Sequence, residues 1–243
     1  FPFGGEPFLF KPVTDFLADV EVDPGCRYMF VTNATLLTPK VFSLLGEREL
    51  GVIAVSLDAA TEQSFDKLRK RGRRADWDGI MDNMRRLQQL KAEKNFIYTV
   101  SMTLNSQNFD EIEAFIDLGI RFNAEPLVIL VTNPFQTYSF QKRYLMFTDP
   151  QFDAMAAQIE RGLKKVRKMG YKESENYLLQ LRAMLQEHRK SDNSLSYFAA
   201  KTHSRQIFWM LPEMVRNPLK KAINRVRARS LERHKAATSK ART

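Results

Sequence analysis

Cysteine is all but missing from this chain: among 243 residues there is one, Cys26. A single thiol excludes an internal disulfide framework. It also excludes a cysteine-based metal cluster built by this chain alone. Histidine is nearly as scarce. His188, His203 and His234 lie far apart, without the spacing of metal ligands, and read as surface or packing residues. No metal ligand is assigned. No run of about eighteen apolar residues occurs, so no transmembrane helix is expected. A signal peptide is missing too, which makes a cytoplasmic location the expectation. The first residue is Phe rather than Met, so the N-terminus is expected to be processed, trimmed or missing, and the lack of a targeting segment carries little weight.

Charge is present but uneven. The chain carries +10 overall, and from Lys201 to the end there are 12 Lys and Arg against 2 acids. The body is therefore neutral and the tail basic, so what charge says about partners concerns the tail. The tail has three readings. It is a solvated, partly helical and partly disordered extension. Or it docks on an acidic partner or an anionic membrane surface through Ile207–Leu211 and the following cations. Or it binds nucleic acid through phosphates. Aromatics interleaved with arginines are absent after Trp209, which disfavours stacking on single strands and makes nucleic acid the least expected partner.

The length suits one large domain or two modest ones, and a hydrophobic content of 44% is ordinary for a soluble globular protein. Apolar runs and helical spacings alternate along the first half. A helix is expected from Pro12 to about Val22 with Phe16, Leu17 and Val20 on one face. Asp23-Pro-Gly25 is a turn, with Cys26 beside it, and Tyr28–Thr32 is a strand. Thr38-Pro39 opens a helix that runs to Gly46. Gly51–Leu57 is apolar throughout, as in a parallel strand covered on both faces. Thr61 starts a helix to about Arg71. A second runs from Asp76 to Lys94 with Trp77, Ile80, Met81, Met84, Leu87 and Leu90 at three- and four-residue spacing. Phe96–Leu104 is a strand. Asn108 and Glu111 resemble a capping box, and Gly119 is the expected end of that helix. Pro126–Val131 is a buried-type strand. Beyond an aromatic-rich stretch over 133–147, a helix opens at Thr148-Asp-Pro150, turns Phe152, Met155, Ala156, Ile159, Leu163, Val166 and Met169 inward, and closes at Gly170. Another spans about Glu173 to Arg189.

With the strand end at the N-terminus this makes five strands, each but the last clearly followed by a helix. Such repeats imply a parallel sheet with right-handed crossovers. Ligands bind such sheets at the carboxyl ends of the strands. Polar residues cluster there: Gly4-Gly5-Glu6, Thr32-Asn33, Ser56 with Asp58, and Asn105 with Asn108. Four clusters at successive strand ends converge on one rim. A phosphate-binding barrel enzyme ranks low, because no glycine-rich loop lies near the last strands.

Phe1-Pro-Phe-Gly-Gly-Glu-Pro7, TNATLLT (32–38), VSLDAATEQSFDKLRKRG (55–72) and LNSQNFDEIEAFIDLGI (104–120) follow one another in an order that resembles the radical SAM superfamily over roughly residues 1–131. The resemblance implies a partial (β/α)6 TIM-like barrel. Here it lacks its first βα unit, whose Cys-x3-Cys-x2-Cys loop holds a [4Fe-4S] cluster. The chain begins at the second strand, and the expectation is truncation: the cluster ligands lie outside this chain, which does not do the reaction unaided. The expected divisions are residues 1–132 as the incomplete core barrel, 133–200 as a helical extension and 201–243 as the basic tail. The complete protein would use S-adenosylmethionine, the cluster and an electron donor. It would make a 5′-deoxyadenosyl radical that abstracts hydrogen from an unknown peptide or small molecule. No cysteine-rich segment for an auxiliary cluster follows. The alternative is a non-catalytic barrel-derived binding or scaffold protein working through the tail.

Carried over to this sequence, the resemblance makes Glu6, beside the Gly4-Gly5 backbone, the acceptor for the methionyl ammonium of the cofactor. A surface Glu near a helix start is the plainer reading. Ser56 would meet the cofactor carboxylate or else cap the next helix. Arg71, with Arg69 close behind, would complete that clamp or belong to a solvated basic face. Asn33 would touch ligand or shape its own loop, and Asn105 would meet ribose hydroxyls. Asp58 is expected to cap the following helix. Adenine would lie along the apolar edge near Leu127 and Val128. No catalytic residue is assigned.

Overall fold

The computed structural model describes residues 5–19, 25–68, 76–130 and 147–190. A short 3-10 turn (Pro7–Leu9) leads into α1 (Lys11–Asp19). Then come β1 (Tyr28–Thr32), α2 (Pro39–Gly46), β2 (Leu50–Ser56), α3 (Glu62–Leu68), α4 (Trp77–Glu93), β3 (Ile97–Leu104), α5 (Ile112–Arg121) and β4 (Glu125–Leu130). Two long helices follow, α6 (Asp149–Met169) and α7 (Lys172–Lys190). The expected strand at the N-terminus, the aromatic stretch and the basic tail lie outside the described residues.

The four strands form one parallel sheet in the order β1-β2-β3-β4. Alternation along the strands gives the sheet two unlike faces. The Tyr98 hydroxyl reaches the Met84 carbonyl of α4 at 3.5 Å, which marks the helix-covered face. Ile53, Val55, Val100, Met102, Leu104, Val128 and Leu130 share it and are buried. Burial of each such side chain is worth roughly 1.5–3 kcal/mol. Burial also pushes the Tyr98 phenol well above its usual range. The opposite face carries Met29, Val31, Val52, Ala54, Ser56 and Ile97. There Met29, Val31 and Ile97 are exposed and the β2 residues half-buried. The expectation that β2 is covered on both faces is therefore met only in part: one face is buried and the other half-buried, with Thr99 beside Ala54 buried on it.

Helix starts follow the sequence signals. Thr38 Oγ1 accepts from Val41 N at 3.4 Å, with Pro39 at the first helical position. Asp76 Oδ1 accepts from Gly79 N at 3.0 Å. The α4 stripe is buried as its spacing requires, from Ile80 to Leu90. α6 packs on α5 and on α7, and α7 on β4. Lys165 bridges Glu113 at 2.9 Å and Asp117 at 2.7 Å across the α5–α6 seam.

Three local expectations are overturned. In α1 only Leu17 is buried, and Phe16 turns outward to meet the edge of Tyr28. In α6, Ala156 and Met169 are exposed, although the rest of the apolar stripe faces inward. Gly119 does not end α5, which continues to Arg121; the chain reverses at Asn123, with φ of 52°. Gly119 is needed for another reason. A Cβ there would sit 2.8 Å from Pro126 Cβ and 3.0 Å from the Ala124 carbonyl oxygen, so its bareness lets β4 fold back against the helix. Among the described residues no helix is long and apolar enough to cross a membrane.

Candidate functional site

At the carboxyl end of β1 the chain gathers donors around one carboxylate. Gly5, with φ of 88°, makes a turn that residues with a Cβ rarely adopt, and Pro7 opens the 3-10 turn directly after it. Glu6 is placed between them. Its Oε1 accepts from the Thr32 hydroxyl at 2.8 Å and from Phe8 N at 3.4 Å, and its Oε2 accepts from Asn33 N at 2.7 Å. All three donors are uncharged, and among the described residues no Lys, Arg or His pairs with Glu6. An ionised carboxylate offers about four acceptor positions, so this half-buried group keeps capacity for a further donor.

The loop after β1 is shaped by its own side chains. Asn33 Oδ1 accepts from Thr35 N at 2.9 Å and from the Thr35 hydroxyl at 2.5 Å. The side chain of Asn33 thus shapes its loop, while its backbone N–H serves Glu6. Ala34, fully buried, follows in the left-handed region at φ of 62°.

Ser56 lies at the end of β2, directly opposite Ser101 of β3, and Ser101 is opposite Leu127 of β4. The register that pairs Thr32 with Val55 brings Asn33 level with Ser56. One row of the sheet therefore runs Asn33, Ser56, Ser101, Leu127 just below the rim. Ser56 is half-buried and its side chain makes no hydrogen bond to the described residues. Ser101 was not singled out from the sequence. Its position follows from strand register, which a single sequence does not display. Leu127 is half-exposed on this face, whereas Val128 is buried on the helix side, so only the first of the pair expected near adenine has its side chain there.

The other half of the rim is knitted together internally. Asp58 does not cap the next helix: its Oδ1 accepts from Thr103 N at 2.9 Å, across to β3. The cap is Thr61, whose hydroxyl accepts from Ser64 N at 3.3 Å. Asn108 and Glu111 do not form a capping box either. The Asn108 amide donates to the carbonyls of Asp58 at 2.9 Å and Thr103 at 3.1 Å, and its Oδ1 accepts from Asn105 N at 2.8 Å. Glu111, only 8% exposed, accepts from Ala60 N at 3.2 Å and from the hydroxyls of Thr61 at 2.9 Å and Ser64 at 2.5 Å. The two residues look like a cap in sequence because they are polar and stand just before an apolar run; the partners of Glu111, and the Asp58 carbonyl that meets Asn108, lie about fifty residues away and are invisible to local pattern. Asn105 is buried, with Oδ1 accepting from Gln107 N at 2.8 Å and its amide donating to the Thr103 carbonyl at 3.1 Å.

The structure thus gathers Gly5, Glu6 and Asn33 at one strand end, sets Ser56 beside them in the next strand, and places Asn105 at the end of β3. Gly4 and Arg71, with Arg69, lie outside the described residues. For a methionyl ammonium the donors and acceptors fit, because a carboxylate with only neutral partners is left to meet a cation. For a [4Fe-4S] cluster they do not fit. The chain has one thiol, Cys26, exposed ahead of β1, and among the described residues no cluster of His, Cys, Asp and Glu has metal-binding geometry.

Residues 3–119 match the family model of the radical SAM superfamily. The AdoMet-dependent heme synthase of Methanosarcina barkeri strain Fusaro is 27% identical over 121 residues, 50% of this chain and 33% of that protein. The chain therefore spans about a third of that relative's length. Over residues 3–119, the strand-end carboxylate included, the chain is therefore similar to the radical SAM superfamily.

Proposed function

We propose that this chain is the S-adenosylmethionine-binding part of a radical SAM enzyme whose cluster ligands lie outside it. The observation that carries this reading is Glu6, a carboxylate held by three neutral donors and paired with no cation among the described residues. Bound there, the methionyl ammonium would neutralise it through charge-assisted hydrogen bonds. Ser56, with an uncommitted hydroxyl one strand away, would take the cofactor carboxylate, with Arg71 as its cationic partner. Asn105 would present its loop to the ribose. S-adenosylmethionine bound there would be the source of a 5′-deoxyadenosyl radical for hydrogen abstraction, with the cluster and the electron supplied from outside this chain. What this chain contributes is binding, orientation and a sheet face on which a substrate can lie. The substrate is a peptide or small molecule, and the relative named for haem synthesis is too partial a match to fix it.

The test uses the protein with its upstream sequence, loaded anaerobically with iron and sulfide and given S-adenosylmethionine and a reductant. The expected result is release of 5′-deoxyadenosine that falls at least about tenfold in Glu6→Ala. A folded protein that takes up no cluster and releases nothing would overturn the reading. It would favour a non-catalytic barrel that works through its basic tail.

A further inference from the structure

The Glu6 carboxylate is the end of a hydrogen-bonded chain that begins on a distant helix. Asn83 of α4 donates its side-chain amide to the Ala34 carbonyl at 2.8 Å. Ala34 N donates to the Thr32 hydroxyl oxygen at 3.1 Å, and that hydroxyl donates to Glu6 Oε1 at 2.8 Å. Asn33 N completes the grip on Oε2 at 2.7 Å. The polarity of this chain is fixed. The Thr32 oxygen accepts from Ala34 N–H, so its own proton is left for Glu6, and a carboxylate can only accept. Thr32 is 2% exposed, so water does not compete for that proton. The backbone between them is held in an unfavourable form: Ala34 sits at φ of 62°, where a residue with a Cβ is strained. Such a conformation persists when its surroundings enforce it, and the Asn83 amide is the group that clamps it.

We propose that Thr32 and Asn83 are positioning residues that fix the plane of the Glu6 carboxylate, so that its free acceptor positions meet the ligand ammonium. This rests on the reading of Glu6 as the ammonium acceptor and adds how that acceptor is oriented. Asn83 lies outside every motif of the rim, and no strand-end pattern points to it. Its role follows from geometry: one amide reaches across 49 residues of sequence to the carbonyl of Ala34, the left-handed alanine beside the site.

The test is equilibrium binding of S-adenosylmethionine to the complete, cluster-loaded protein by calorimetry. The proteins compared are wild type, Thr32→Val, Thr32→Ser, Asn83→Ala and Glu6→Gln, with Thr32→Val and Asn83→Ala also made in the Glu6→Gln background. Thr32→Val and Asn83→Ala each weaken binding about tenfold, in line with a hydrogen bond to a charged group. Thr32→Ser, which keeps the hydroxyl, stays within about threefold of wild type. In the Glu6→Gln background the two changes cost less than about twofold more, because they act through that carboxylate. Losses that persist undiminished in that background, or an Asn83→Ala protein that binds like wild type, would overturn the proposal. Thermal unfolding identifies a Thr32→Val protein that has failed to fold, in which case Asn83→Ala and Thr32→Ser decide. A wild-type protein that does not bind S-adenosylmethionine would instead sink the reading of Glu6, and this proposal with it.

Discussion

Glu6 and Glu111 each receive three hydrogen bonds from the chain, two from backbone N–H groups and one from a hydroxyl at Glu6, one from a backbone N–H and two from hydroxyls at Glu111, yet they sit in different surroundings. The donors to Glu111 all come from the start of the α3 region, residues 60–64, and the carboxylate is sealed among them. It works as a strut that ties the β2–α3 loop to the start of α5. The donors to Glu6 come from two segments, the 3-10 turn and the end of β1, and the group stays half-exposed. The number of hydrogen bonds does not separate a binding carboxylate from a structural one. Among the described residues neither has a counter-charge, and what separates them is whether acceptor capacity remains where a ligand can reach it.

The largest effect expected from this difference is on stability. Glu111→Ala removes a buried carboxylate together with its three charge-assisted hydrogen bonds and should cost about 3 kcal/mol, read from urea unfolding. Glu6→Ala, at a half-exposed position but leaving the buried Thr32 hydroxyl without its acceptor, should cost about half as much, about 1.5 kcal/mol, in the same measurement. Equal losses would break the comparison. The reverse ranking is expected for ligand. Glu6→Ala should weaken S-adenosylmethionine binding about thirtyfold, a change of about 2 kcal/mol, whereas Glu111→Gln should leave it within about threefold. A smaller test acts on one donor of the strut. Thr61→Val removes the hydroxyl that meets Glu111 and caps α3, and should cost about 1 kcal/mol without altering binding.

Much of this arrangement was legible before any coordinates. The strand at Tyr28–Thr32, the α4 stripe and the Thr38-Pro39 start depend on nearest-neighbour periodicity and capping, which are local and appear where expected. The strand-end argument placed Glu6, Asn33, Ser56 and Asn105 at the carboxyl edge of a parallel sheet for the same reason. Pairing was not legible. Asp58 and Glu111 look like local caps because a carboxylate before an apolar run is the usual sign of one, but each bonds across 45 to 51 residues. Ser101 and Asn83 carried no local signal, since the first is defined by register and the second by a helix packed behind the loop. Gly119 looks like a terminator because a glycine near a helix end usually is one, whereas here a neighbouring chain segment needs the space.

The finest contrast between the two halves of the rim lies in two alanines. Ala34 and Ala59 are both fully buried in strand-end loops, one beside Glu6 and one beside the strut. Only Ala34 is left-handed; Ala59 is not among the residues with positive φ. Replacing a buried alanine by glycine removes a methyl worth about 0.8 kcal/mol and frees the unfolded chain by roughly another 0.5–1 kcal/mol. Ala59→Gly should therefore destabilise by about 1.5 kcal/mol. At Ala34 the same losses are offset by relief of a strain of about 1–2 kcal/mol, so Ala34→Gly should come out near neutral. Urea unfolding of the two variants side by side measures the difference directly. Equal destabilisation would mean that the loop beside Glu6 holds no conformational strain, and that its orientation of the carboxylate rests on the hydrogen bonds alone.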